Sequence, residues 1–143
     1  VNEKSVLLLP GANTWDDSKH GAIIEKAAEL LSSGATICAI CGATAALANA
    51  SLLDQRLHTS NGAKYLEMFS PCYKGQEFYI NEPSVADHNF ITASSTGALL
   101  WTKQILERLK VFQSDTLDAW YRYFSSGMEQ HFFALMQTLP ISK

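Results

Sequence analysis

The apolar positions of this chain follow two alternating patterns. Ser5 to Leu9 (S-V-L-L-L) and Thr36 to Ile40 (T-I-C-A-I) are short, continuous runs, as expected of strands buried on both faces of a parallel sheet. Between them, from about Lys19 to Ser33, residues Ile23, Ile24, Ala27, Leu30 and Leu31 recur with the 3.6 period of a helix, while Glu25, Lys26 and Glu29 face away. Pro10-Gly11 stops the first run, and Gly34 suits the end of the helix. The second run passes into Ala43–Ala50, made largely of good helix formers.

A short turn at Leu52–Gln55, a strand-like run at Arg56–Thr59 and a helix over Asn61 to Phe69 come next, with Ser70-Pro71 as the stop. Tyr79 to Ala93 predicts a strand pair around a turn at Asp87-His88-Asn89. Ser94 to Gly97 then opens a helix that offers Leu99, Leu100, Ile105, Leu106 and Leu109 for burial, and two helical stretches, Asp115–Ser125 and Met128–Leu139, close the chain. The βαβα order with short connections predicts an α/β fold with a largely parallel sheet in a single unit spanning 1–143. No repeat or low-complexity segment interrupts it.

Composition narrows the class without naming a function. A chain of 143 residues, 47% hydrophobic and 17% charged, is long enough for one domain with its own core. A net charge of −3 gives no electrostatic reason to expect nucleic acid or an anionic membrane as partner. No apolar run approaches the ~20 residues of a membrane span, and Val1-Asn2-Glu3-Lys4 leads directly into the first strand without a visible signal peptide. An odd number of cysteines, three, suits a reducing compartment, so a cytoplasmic location is expected.

The chemistry concentrates at Cys41-Gly42. A strand ending at Ile40 and a helix starting at about Ala43 leave these two residues to make the whole turn, which projects the Cys41 side chain from the sheet edge. This is the logic of a nucleophile elbow with cysteine in place of serine, and a helix N-terminus beside the sulfur favours the thiolate. Ordinary core packing is the plainer alternative for a free cysteine. That alternative is the better one for Cys38, three residues earlier inside the strand and on the opposite face from Cys41. The C-x-x-C spacing is therefore not read as a redox pair.

The four histidines, His20, His58, His88 and His131, show no ligand spacing with each other or with cysteine, so neither a metal nor a cofactor is expected. His58 is the candidate base, because the run that carries it can return to the same edge of the sheet; a structural role is the alternative. Gly11 and Ala12 form a turn whose Ala12 amide, with that of Gly42, could hold an oxyanion over Cys41. Trp15 and Ser95, on loops at the same edge, complete the expected pocket with Gly11.

Leu7-Leu8-Leu9-Pro10-Gly11, the elbow Ala39-Ile40-Cys41-Gly42-Ala43, the segment Leu53 to Asn61 ending in H-T-S-N, and Asn89 to Gly97 together resemble the ThiJ/PfpI family, within the class I glutamine-amidotransferase-like superfamily. The resemblance covers Val6 to about Leu109. It implies a flavodoxin-like three-layer sandwich around a mostly parallel sheet. It also implies a cysteine-dependent hydrolase or amidase, peptidase-like or glyoxalase-like, acting on a small molecule or a peptide. A cysteine redox sensor or chaperone-like protein is the alternative within the same family, and dimers or larger assemblies are usual.

Two features depart from the family pattern. The peptidase branch has a histidine directly after the nucleophile, where this chain has Gly42. In another branch the histidine lies further along, where this chain has Ser60, two residues after His58. Family members also begin with a strand whose following loop supplies an acidic residue to the cysteine. Here the corresponding strand-helix portion is expected to be missing, which would leave the Ser5–Leu9 strand with an unpaired edge. The expectation is accordingly a fragment, a processed chain or one part of an assembly, either a homo-oligomer or an association with an N-terminal segment. The aromatic stretch at about 112–139, with Phe112, Trp120, Tyr121, Tyr123, Phe124, Phe132 and Phe133, reads as a helical cap on the sheet, or alternatively as a subunit interface.

Overall fold

The computed structural model describes residues 1–140. Four strands, β1 (Val6–Leu9), β2 (Thr36–Ile40), β3 (Ser84–Asp87) and β4 (Phe90–Ala93), form one sheet in the order β1-β2-β4-β3. β1, β2 and β4 run parallel, with Leu8 opposite Cys38 and Cys38 opposite Ile91, and only β3 is antiparallel. The two apolar runs are thus adjacent parallel strands, as their lack of alternation predicts. β1 is an edge strand whose Leu8 is 54% exposed.

The described residues also form six α-helices: α1 (Gly21–Ser32), α2 (Gly42–Asn49), α3 (Ala63–Phe69), α4 (Ala98–Leu109), α5 (Ser114–Ser126) and α6 (Glu129–Thr138). Alternation along β2 separates two cores. Ile37 and Ala39 join Leu9, Ala27, Leu31, Leu47 and Leu66 on one face, whereas Cys38 points to the other with Ile91 and Ile105. α1, α2 and α3 supply the first core and α4 the second, so helices cover both faces in three layers. Leu31 on α1 is 7% exposed, a burial that contributes roughly 1.5–3 kcal/mol. Cys38 is wholly buried, and that burial pushes its pKa up to about 12; it packs as a hydrophobe and holds no reactive thiolate.

Several boundaries differ from the sequence pattern for local reasons. The first helix begins as a 3-10 turn, Ser18–His20, because Asp17 accepts the Lys19 N–H at 2.9 Å and tightens the entry. Arg56–Thr59 forms no strand; its only sheet-like pairing is an isolated parallel bridge between His58 and Tyr79. The strand pair begins at Ser84, after Pro83, not at Tyr79, since proline has no N–H for a ladder. The Ser94–Gly97 stretch is a turn that precedes α4, with the Ser94 N–H on the Pro83 carbonyl at 3.0 Å. α3 starts at Ala63, which leaves Asn61 free in the loop.

The turn at Asp87-His88-Asn89 is present, with His88 at φ 54°. The Asn89 amide clasps the Ala35 carbonyl at 2.7 Å, joining the hairpin to the α1–β2 connection. The aromatic helices do not cap the sheet directly: α5 packs on α4, and α6 packs on α5. Lys103 of α4 ties Glu107 at 3.1 Å and Asp118 of α5 at 3.0 Å. No helix among the described residues is long and apolar enough to cross a membrane.

Candidate active site

Cys41 stands between β2 and α2 with φ 57° and ψ −125°. Non-glycine residues rarely adopt this backbone, and such strain costs of order 1–3 kcal/mol and is retained where surrounding structure enforces it. Three contacts enforce it here. The Cys41 N–H donates to the Ala93 carbonyl at 3.0 Å, extending the β2–β4 ladder by one bond. The Cys41 carbonyl accepts from the Thr44 N–H at 3.1 Å and from the Thr44 hydroxyl at 2.6 Å. Thr44 is itself held by the buried Ser60 hydroxyl at 2.7 Å.

The two glycines beside the thiol are fixed by crowding. A Cβ on Gly42 would overlap the Ala12 carbonyl oxygen. A Cβ on Gly11 would lie 2.8 Å from the Cys41 Cβ and 3.5 Å from Sγ. The Pro10–Asn13 loop therefore lies directly on the elbow, which is how Gly11, Ala12, Cys41 and Gly42 come together from two strand ends. Gly42 is the first residue of α2, and the first amides of a helix have no acceptor within it.

The polar group on the thiol is one that sequence spacing did not single out. The Asn61 Nδ2 donates to Sγ at 3.4 Å. Its Oδ1 accepts the Ser95 N–H at 2.8 Å, which orients the amide with its NH2 toward sulfur. Ser95 thus joins the site through its backbone and through Asn61. Tyr65 on α3 lies close by: burial, then the Cys41 sulfur, raise its pKa above the ordinary phenol value, while a hydrogen bond from Asn61 acts the other way. The signal for Asn61 was the H-T-S-N run, in which the polar residue follows three buried ones, His58, Thr59 and Ser60.

His58 is placed differently. Its ring is fully buried, with Nδ1 2.6 Å from the Arg56 carbonyl and Nε2 2.8 Å from the Tyr73 hydroxyl. A carbonyl can only accept, so Nδ1 carries the proton and Nε2 accepts from Tyr73, an assignment made from the network. The rings of Tyr73 and Tyr79 stand edge-on to it at 5.6 and 5.8 Å. Burial lowers the His58 pKa, outweighing the Arg56 carbonyl and Asp54, which raise it. Both ring nitrogens are therefore engaged away from Cys41, and the side chain hydrogen-bonded to the thiol is Asn61.

Next to the elbow, on the α2–α3 side, a cleft of about 350 Å³ opens between the Pro10–Asp17 loop and α3. Its lining includes Gly42, Ala12 and Tyr65 together with Trp15, Asp16 and Phe69. Cys41 borders this cleft through Gly42 without lining it. The Trp15 indole N–H donates to the Pro10 carbonyl at 2.8 Å, so the indole turns its donor away from the space. Among the described residues no cluster of three or more histidine, cysteine, aspartate or glutamate side chains could hold a metal ion.

A three-layer α/β sandwich with a strained cysteine at a strand-to-helix elbow defines a class of proteins with a presented thiol. Within that class, the chain belongs to the DJ-1/PfpI family, whose pattern matches residues 1–108. It is 42% identical over 139 residues to the "Uncharacterized protease YoaZ" of Bacillus subtilis (strain 168), covering 97% of this chain and 66% of that one. It is 32% identical over 106 residues to the "Uncharacterized protease YdeA" of the same organism, covering 73% and 52% respectively. The chain thus spans just under two thirds of the length of the first of these relatives and about half of the second. Among solved structures, the thiJ/pfpI family protein from Bacillus anthracis superposes with a TM-score of 0.94 at 40% identity, over 97% of this chain and 66% of that one. The DJ-1 superfamily protein Atu0886 from Agrobacterium tumefaciens shares the fold, with a TM-score of 0.76 at 22% identity over 89% and 68%.

Proposed function

We propose that this protein is a cysteine-dependent hydrolase of amide bonds in which Cys41 is the nucleophile. The observation that carries the reading is the strained elbow, which presents Sγ between the Gly11-Ala12 loop and the start of α2 with one oriented donor, Asn61 Nδ2, at 3.4 Å. The names of the two Bacillus subtilis relatives, each an "uncharacterized protease", point the same way. In this reading the Cys41 thiolate adds to the substrate carbonyl, and the oxyanion is received by the Gly42 amide together with that of Ala12. The C–N bond then breaks as the amine takes up a proton from solvent water and leaves, and a second water cleaves the thioester, releasing the carboxylic acid and returning the thiol. His58, committed to Arg56 and Tyr73, has no role in this sequence beyond holding its own segment. Intracellular action and assembly with a further segment or a second copy belong to the same proposal.

One observation favours a second reading. Asn61 is neither an acid nor a base, so the group on Sγ can stabilise a thiolate without moving a proton. That suits a redox sensor, in which peroxide converts the Cys41 thiolate to sulfenic acid and is itself reduced to water. The two readings separate on Cys41→Ser. The hydrolase reading expects a loss of peptidase or amidase turnover of at least ~10³-fold, with an acyl adduct on Cys41 in the parent protein by mass spectrometry. Turnover that survives Cys41→Ser, together with oxidation of Cys41 by peroxide in the parent protein, sinks the hydrolase and leaves the sensor.

A further inference from the structure

The cleft beside the elbow has a chemical character that the elbow alone does not explain. Its lining includes the aromatic residues Trp15, Tyr65 and Phe69 and the small residues Ala45 and Ala46 of α2. Its single charged lining residue is Asp16. Asp16 has no ion-pair partner among the described residues, whereas its neighbour Asp17 is neutralised by Lys19 at 2.9 Å. Trp15 and Asp16 also line a second hollow of about 330 Å³, which adds Asp17, His20 and Glu25 and is lined by no lysine or arginine; the His20 ring lies 5.3 Å from that of Trp15. Aromatic faces attract a cation electrostatically, and an unpaired carboxylate at the rim supplies the complementary charge.

We infer that this cleft is the specificity pocket of the site and receives a side chain with a long apolar stem and a cationic end, of lysine or arginine type. The stem lies along Ala45 and Ala46 between the rings, and the ammonium or guanidinium reaches Asp16. The scissile carbonyl is then held near Gly42, the residue shared by the cleft and the elbow. An acidic side chain is disfavoured there by Asp16 and, further out, by Glu25. A neutral aromatic side chain fills the walls but leaves the carboxylate unused.

This inference rests on Cys41 being a nucleophile toward carbonyl substrates, and the experiment keeps the two apart. Aminoacyl chloromethyl ketones bearing lysine, phenylalanine or glutamate side chains alkylate a thiolate, forming a C–S bond as chloride leaves. Second-order rates of Cys41 modification are read by peptide mass mapping, since Cys72 is also exposed. Each rate is divided by that for iodoacetamide on the same protein variant, which removes any change in the thiol itself. The lysine probe is expected to exceed the phenylalanine probe at least tenfold, with the glutamate probe slowest. Asp16→Asn is expected to reduce the lysine advantage to less than threefold, whereas Glu129→Gln, on α6, leaves it intact. A phenylalanine or glutamate probe as fast as the lysine probe overturns the inference, as does a lysine advantage that survives Asp16→Asn. Failure of iodoacetamide to modify Cys41 faster than Cys72 defeats the nucleophile reading instead, whatever the side-chain ranking.

Discussion

The Cys41 elbow and the His58 nook were both candidate positions for chemistry in the sequence, and they are opposite kinds of site. Cys41 is a half-buried residue with a strained backbone at φ 57° and one donor to its sulfur at 3.4 Å. His58 has no exposed surface, two ring nitrogens bonded at 2.6 and 2.8 Å, and two aromatic rings edge-on. A group proposed to react needs a lone pair that a substrate can approach, whereas a group that holds a segment needs every polar atom hydrogen-bonded. The comparison shows how a residue type with catalytic chemistry can be placed where only its geometry is used.

The comparison breaks most visibly at Gly42. Gly42→Ala places a methyl on the Ala12 carbonyl oxygen, where neither backbone can yield cheaply. A loss of about 3 kcal/mol in urea unfolding, with at least tenfold slower alkylation of Cys41, is expected. An alanine variant as stable and as reactive as the parent means that the loop does not sit on the elbow. Next in size is His58→Gln, which cannot satisfy both Arg56 and Tyr73 and is expected to cost about 2 kcal/mol. Its Cys41 alkylation rate should stay within twofold of the parent. A tenfold loss of reactivity with unchanged stability would falsify the separation of the two sites.

Acid sharpens the contrast by a smaller amount. Burial holds the His58 pKa below the ordinary imidazole value of about 6.5. The unfolded chain therefore takes up a proton at a pH where the folded protein does not. Stability is full above about pH 6.5 and falls as the pH drops toward the lower folded value, by up to about 1.4 kcal/mol per pH unit. The same titration in His58→Gln should lack this component, and equal pH slopes in the two proteins would remove the assignment. The smallest effect has the opposite sign. Cys41→Gly relieves the backbone strain and is expected to raise stability by about 1 kcal/mol while losing the thiol. A glycine variant less stable than the parent would show that the elbow is not strained.

Much of this architecture was legible because local pattern and tertiary role agree. Thr36–Ile40 lacks alternation because helices cover both its faces, whereas the edge strand Val6–Leu9 is equally apolar but leaves Leu8 exposed; Cys41 was visible because nothing separates the β2 pattern from the α2 pattern. Cys38 was legible too, since strand alternation alone puts it in the opposite core. Asn61 was not. Its partners Cys41 and Ser95 lie 20 and 34 residues away, and its placement depends on α3 starting only at Ala63. His58 misled for a similar reason: the groups that occupy it, Arg56 and Tyr73, are a backbone carbonyl and a residue from beyond α3, and neither leaves a mark beside it in the sequence. The aromatic helices showed their apolar faces but not their target, because an apolar face does not say which neighbour it will bury against, here α4 for α5.

The end of β4 carries two attachments only two residues apart. The Ala93 carbonyl receives the Cys41 N–H, and the Ser95 N–H is received by the Asn61 side chain. Mechanically, the sulfur and the amide that faces it are mounted on one bracket. Fluctuations that displace the tip of β4 carry both in the same direction, so their separation is buffered against motions that would pull apart groups mounted on independent loops. Hydrogen exchange at the Cys41 and Ser95 amides should then report one opening event with one rate constant.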